Sequence, residues 1–269
     1  MNDILTVPGA DLYYEVRGRG RLVVLVGSPM GARSFEPLAE LLAPEYTVLT
    51  TDPRGIDRSP VHDSEQDSTP QLRADDLSAL LTKVDAGPAI VVGSSGGAIT
   101  ALAFAQAYPE LAQTVIAHEP PLAELVEDRD ELHAGTEKQI AAYLDGDIVG
   151  AWRLFMAQAN IELPPGLLEM MFGPDRPAEQ LKDERRWFEH ELRETTRWKP
   201  DLPVLRAGAP RIIAGIGEES AGQVCDRTTR ALAAELGIEP TLFPGGHTAF
   251  ADDPAGFAPR LRTVLESAV

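Results

Sequence analysis

Ala89-Ile90-Val91-Val92-Gly93-Ser94-Ser95-Gly96-Gly97-Ala98-Ile99-Thr100-Ala101-Leu102-Ala103-Phe104-Ala105 is the stretch that decides the fold. A β-branched apolar run enters a turn of small residues, and a helix-forming run leaves it. Strand, tight turn and helix follow in that order, with Ser95 at the turn and Gly93 and Gly97 two residues to either side. A serine in such a turn projects its hydroxyl outward, and the glycines let neighbouring backbone come close. The N-terminus of the following helix offers unpaired N–H groups that favour negative charge. The turn is a place for a nucleophile.

Working outward, residues 12–16, 22–26, 47–51, 114–117, 211–214 and 241–243 read as further strands. Gly18-Arg19-Gly20 reads as a turn that makes a hairpin of the first two. Helical runs cover residues 35–42, 72–81, 228–236 and 254–267, with Pro70 placed to start the second and Gly237 to stop the third. Strands alternating with helices predict an α/β fold with a doubly wound, mostly parallel sheet. Residues 120–210 break the rhythm. They are helix-rich, contain Pro164-Pro165 and Gly173-Pro174, and hold Trp152, Trp187 and Trp198. We read them as a helical cap inserted into a core made of residues 1–119 and 211–269. Trp152, Phe155 and Met156 share one helical face there and are pocket candidates, together with Met30.

The net charge of −18 disfavours nucleic acid and anionic membranes as partners. A single cysteine, Cys225, excludes an intramolecular disulfide and reads as a bystander thiol. With no signal-like start and no long apolar run, the expected location is the cytoplasm. The histidines show no metal-ligand spacing, and the glycine-rich segments lack the lysine of a phosphate loop and the dinucleotide fingerprint, so no metal or cofactor is expected.

A serine hydroxyl needs a base. Among His62, His118, His133, His190 and His247, only His247 has a fitting setting: it follows a late strand through Pro244-Gly245-Gly246, in a loop at the carboxyl edge of the sheet. His118 reads as a pocket residue or a structural histidine. Asp52 and Arg54 read as scaffold, a buried carboxylate fixing a turn and a cation tying loops together.

These segments together resemble the α/β-hydrolases. Gly93-Ser94-Ser95-Gly96-Gly97 resembles their nucleophile elbow, and Gly27-Ser28-Pro29-Met30-Gly31 resembles the His-Gly-Gly-Pro-Gly loop after the third strand. Asp52-Pro53-Arg54-Gly55 through Arg58-Ser59 resembles the segment after the fourth, and Pro244-Gly245-Gly246-His247 resembles the histidine loop. His118-Glu119-Pro120-Pro121 is similar to a segment of a bacterial subgroup. The resemblance implies an eight-stranded sheet and a triad in the chain order serine, acid, histidine. It implies oxyanion donors at the backbone N–H groups of Gly96 and Ser28, since Pro29 has no N–H to give. The usual first His of the loop is Val26 here.

The acid has two family positions. The loop after the seventh strand offers Glu218 and then Glu219; the end of the sixth strand offers Glu119. Glu119 is ranked first, because Pro120 is expected to hold it extended and so aim its side chain. The implied activity is hydrolysis of a small, moderately apolar ester, lactone or thioester through an acyl-enzyme on Ser95, with no cofactor. The same triad would serve a cofactor-free perhydrolase or a C–C bond hydrolase, and a non-catalytic binding protein is the rival from another class. A homodimer is left open. Serine at the elbow argues against the dehalogenase and epoxide hydrolase chemistries, which use aspartate there.

Overall fold

The computed structural model describes residues 1–267. The chain opens with strands β1 (Asn2–Val7), β2 (Ala10–Gly18) and β3 (Arg21–Val26), then helix α1 (Ala32–Leu42) and β4 (Tyr46–Thr51). Helix α2 (Pro70–Val84), β5 (Ala89–Ser94), α3 (Gly96–Ala107) and β6 (Ala112–His118) follow. Between β6 and the next strand come α4 (Arg129–Leu144), α5 (Ile148–Ala159), α6 (Leu167–Phe172), α7 (Ala178–His190), α8 (Leu192–Thr196) and α9 (Leu202–Ala207). The chain then returns through β7 (Arg211–Gly217), α10 (Val224–Leu236), β8 (Thr241–Phe243), α11 (Ala249–Asp252) and α12 (Pro254–Ser267).

The eight strands form one sheet in the order β1-β2-β4-β3-β5-β6-β7-β8. β2 pairs antiparallel with β1 and β4, and every pair from β4–β3 onward is parallel. Both faces are covered, which is why the central strands are continuous apolar runs. Leu22, Val24 and Val26 of β3 point to the side held by α2 and α3, while Val23 and Leu25 point to the side held by α1 and α12. A third apolar cluster lies among the helices between β6 and β7, where Trp152 stacks on both Trp187 and Phe172.

Helix limits follow local chemistry. Thr69 caps α2, its hydroxyl accepting the Leu72 N–H at 3.2 Å, and Pro70 takes the first helical position, where its missing N–H costs nothing. α10 stops at Gly237, which adopts φ +67°.

The expected hairpin between residues 12–16 and 22–26 does not form. β2 and β3 are separated by β4. Gly18 and Gly20 do not make a tight reversal; they press against the backbone of Ala43, Glu45 and Tyr46, which leads β4 into the slot between them. A Cβ on Gly18 would stand 2.2 Å from the Ala43 carbonyl oxygen. The true hairpin joins β1 to β2. β1 was not among the expected strands because it is mostly exposed and lacks the apolar alternation that marks a half-buried strand.

Backbone packs tightly behind Ser95. A Cβ on Gly97 would stand 2.1 Å from the Val26 carbonyl oxygen, and one on Gly93 would stand 2.3 Å from the Gly97 carbonyl oxygen. Neither obstacle is a movable side chain. Gly97→Ala is therefore expected to cost on the order of 4 kcal/mol or to prevent folding. Gly237→Ala meets nothing within 4 Å and pays only for its left-handed backbone, about 1 kcal/mol. Urea denaturation of the two variants against the parent measures the difference.

Candidate active site

The parallel strands end at one edge, and the chemistry-bearing residues gather there. Ser95 stands between β5 and α3 at φ +55°, ψ −125°, a conformation that L-residues rarely hold. Its N–H donates to the carbonyl of His118 at 2.9 Å, which ties the turn to the end of β6. Glu119 follows, and its N–H donates to the carbonyl of Gly215 in β7 at 2.9 Å. The carboxylate is fully buried. Oε1 accepts the Gly217 N–H at 2.8 Å, and Oε2 lies 2.5 Å from His247 Nδ1.

Glu119 is not extended. Its φ is +51°, so the expectation drawn from Pro120 fails. The constraint of the following proline is outweighed by the two strand-edge hydrogen bonds to β7 and by the pairing with His247, which together hold a strained backbone. Glu218 and Glu219 sit differently. Their N–H groups bond to the carbonyls of Phe243 and Gly245, and both side chains are exposed. Of the three carboxylates weighed, the structure brings only Glu119 to His247.

Burial by itself would raise the Glu119 pKa. The hydrogen bond from His247, with the electrostatic influence of the two neighbouring histidines, overcomes it and holds the carboxyl at about 2. His118 behaves in the opposite sense. It is buried, edge-on to Phe243 and Phe257, with Nδ1 3.1 Å from Ser94 Oγ. Desolvation lowers its pKa to about 4, although the Glu119 charge pulls the other way. It is a neutral, structural imidazole at physiological pH.

Ser95 is half-buried and its hydroxyl makes no hydrogen bond among the described residues. Contacts of this kind often tighten only when substrate is present. The Ser28 loop lies directly across: a Cβ on Gly96 would stand 2.7 Å from Ser28 Oγ. The N–H groups of Ser28 and Gly96 donate to no acceptor among the described residues. Among the described residues, no three His, Cys, Asp or Glu side chains gather as metal ligands.

Asp52 and Arg54 are scaffold. Asp52 accepts the Ala32 N–H at 2.7 Å and pairs with Arg58, while Arg54 forms a two-pronged pair with Asp76 at 2.7 and 2.5 Å. Of the pocket candidates, Trp152 is committed to the aromatic stack, and its Nε1–H donates to Glu184 at 2.8 Å. Phe155 lines a cavity between α4, α5, α8 and α10, while Met30 packs on the apolar layer under α1. Met156 is half-buried beside Phe155 and is not among that cavity's wall residues.

Glu191 escaped the sequence reading. It is fully buried, accepts the hydroxyl of Ser28, and lies 3.9 Å from Arg73, which also bonds Thr195 and Ser68. In the sequence it is one of several charges around α7 and α8, and nothing marks it out.

The sequence pattern described as the alpha/beta hydrolase family matches residues 22–260. An uncharacterized hydrolase of Bacillus subtilis, YraK, is 30% identical over 273 residues, 98% of this chain and 96% of that one. An esterase structure from Exiguobacterium antarcticum superposes with a TM-score of 0.74 at 18% identity, covering 99% of this chain and 100% of that one. A thermophilic esterase from Thermogutta terrifontis gives 0.71 at 18% identity, covering 100% and 99%. At such identities the structures speak to the fold.

Acid should destabilise the protein in two steps. Neutral His118 is favoured in the folded state, so the unfolded chain takes its proton first, and stability present above pH 6.5 is lost down to about 4. The Glu119 carboxylate is favoured in the folded state, so its contribution is present above 4.5 and is lost as pH falls towards about 2. The upper step should approach one proton, about 1.4 kcal/mol per pH unit, and should flatten in His118→Phe. Urea titrations between pH 7 and 4 measure the slope.

Proposed function

The chain belongs to the alpha/beta hydrolase family, and from that membership and the site geometry we propose that it is a serine hydrolase acting on a small ester, lactone or thioester. The observation that carries the reading is the buried Glu119–His247 pair, set one residue beyond the His118 carbonyl that anchors Ser95. In this reading Ser95 attacks the substrate carbonyl while His247 takes its proton on the ring nitrogen facing away from Glu119. Glu119 orients the ring and stabilises the imidazolium that forms. The N–H groups of Ser28 and Gly96 hold the oxyanion. His247 then protonates the leaving group, and the same residues admit water to hydrolyse the acyl-enzyme.

The helices between β6 and β7 act as a cap in this proposal. Several bonds fasten them to the core side of the site. Besides the Glu191–Ser28 contact, the Ser68 N–H donates to the His190 carbonyl at 2.8 Å and Arg73 reaches Thr195 at 2.9 Å.

A fluorophosphonate probe tests the nucleophile. The expected result is one covalent adduct on Ser95, absent in Ser95→Ala; a folded protein without an adduct sinks the proposal. The acid is tested with p-nitrophenyl esters. Glu119→Gln should lower kcat by about 10⁴, as expected when the histidine loses its orienting carboxylate. Glu218→Gln should stay within about threefold of the parent, because its exposed side chain does not reach His247.

A further inference from the structure

A cavity lies between α4, α5, α8 and α10 and is bordered by Pro121, in the segment that leaves Glu119. Its volume is about 60 Å³, room for a group of several non-hydrogen atoms. Its walls are largely apolar: Pro121, Leu132, Phe155, Leu192 and Cys225 contribute. Three links connect it with the candidate site. Pro121 is two residues beyond Glu119, Leu192 directly follows Glu191, which holds Ser28, and Thr228, whose hydroxyl lies 3.2 Å from the Cys225 carbonyl, donates to the Pro120 carbonyl at 2.6 Å.

Four wall residues are polar, Thr136, Gln139, Gln158 and Thr196, and Gln158 reaches the Thr136 hydroxyl at 3.5 Å; Gln139 stands apart from them. Gln139, on the inner face of α4, is 1% exposed, and both its Oε1 and its Nε2 lack a hydrogen-bond partner. Its neighbour Thr136 is already engaged, donating to the Leu132 carbonyl at 3.0 Å. Orphaned amide atoms at a buried position are rare and costly, and a residue serving only to fill the wall would be apolar. The spacing of Leu132, Thr136, Gln139 and Tyr143 puts this amide on the buried stripe of its helix.

We propose that this cavity is the specificity pocket for the part of the substrate remote from the scissile bond, and that Gln139 binds a small neutral carboxamide there. The inference rests on the hydrolase reading for naming the ligand a substrate. The chemistry selects the group. Nε2 needs an acceptor and Oε1 needs a donor, and a carboxamide offers the two side by side in one plane. A carboxylate brings only acceptors and an ammonium only donors, and either would carry charge into mostly apolar walls.

The test uses p-nitrophenyl esters of ω-carbamoyl acids with three to six methylenes, each beside the isostere in which an isopropyl end replaces the carboxamide. At the length that reaches Gln139, the carboxamide ester should show a kcat/KM at least tenfold above its isostere. Gln139→Leu should bring that ratio near or below one, with the melting temperature reporting that the variant is folded. An isostere that matches or exceeds its carboxamide at every length in the parent protein overturns the proposal, whatever the variant does. Calorimetry with hexanamide reads the pocket without catalysis, and Gln139→Leu should weaken that binding at least fivefold. Gln139-dependent binding without hydrolysis of any ester would refute the hydrolase reading and keep the pocket. Hydrolysis with neither preference nor Gln139-dependent binding would do the reverse.

Discussion

The candidate site depends on one carboxylate that water cannot reach. Glu119 ends β6, and both its oxygens are spent: one takes the Gly217 N–H from β7, the other faces His247. A buried anion is tolerable only where partners repay its lost hydration. Here the repayment comes from a neighbouring strand and from the loop after β8. The parallel order β5–β6–β7–β8 therefore sets the serine turn beside the end of β6, and Glu119 at that end beside His247. A slip in register would leave Glu119 buried and unpaired. Fold and site are stabilised by the same bonds.

Backbone strain sits where the chemistry is proposed to occur. Ser95 and Glu119 both hold positive φ, and neither is glycine. Each such residue costs about 1–3 kcal/mol and persists only when the surroundings over-determine it. Around Ser95 the over-determination is the crush of Gly93 and Gly97 against the backbone of α3 and β3. Around Glu119 it is the pair of bonds to β7. The inserted helices add a second set of ties, through Glu191 to Ser28 and through Arg73 to Thr195. The loop that carries one proposed oxyanion donor is thus fastened to core and insertion at once.

Much of this was legible residue by residue. The glycine spacing about Ser95 marked the elbow, and its packing shows why no larger residue fits. Pro70 and Gly237 marked helix ends through rules that need no tertiary partner. Asp52 and Arg54 read as scaffold and are scaffold. Other features left no local trace. The false hairpin came from a Gly-Arg-Gly turn whose true role is to let β4 pass between β2 and β3. The conformation of Glu119 ran against the preference imposed by Pro120, because long-range hydrogen bonds outweighed it. The stacking of Trp152 left no local trace either, since the partners that stack on it lie 20 and 35 residues away in the chain.

The amino-acid sequence by itself determined the alternating strands and helices, the serine turn and the histidine loop. Each is written in local spacing and in residues of special backbone freedom. Only the tertiary structure decided which glutamate stands against His247, which hydroxyl Glu191 holds, and that Gln139 lies unpaired in an apolar cavity. Those are relations between side chains brought together by sheet order and helix packing, and burial, which gives each its energetic weight, exists only once the chain has folded.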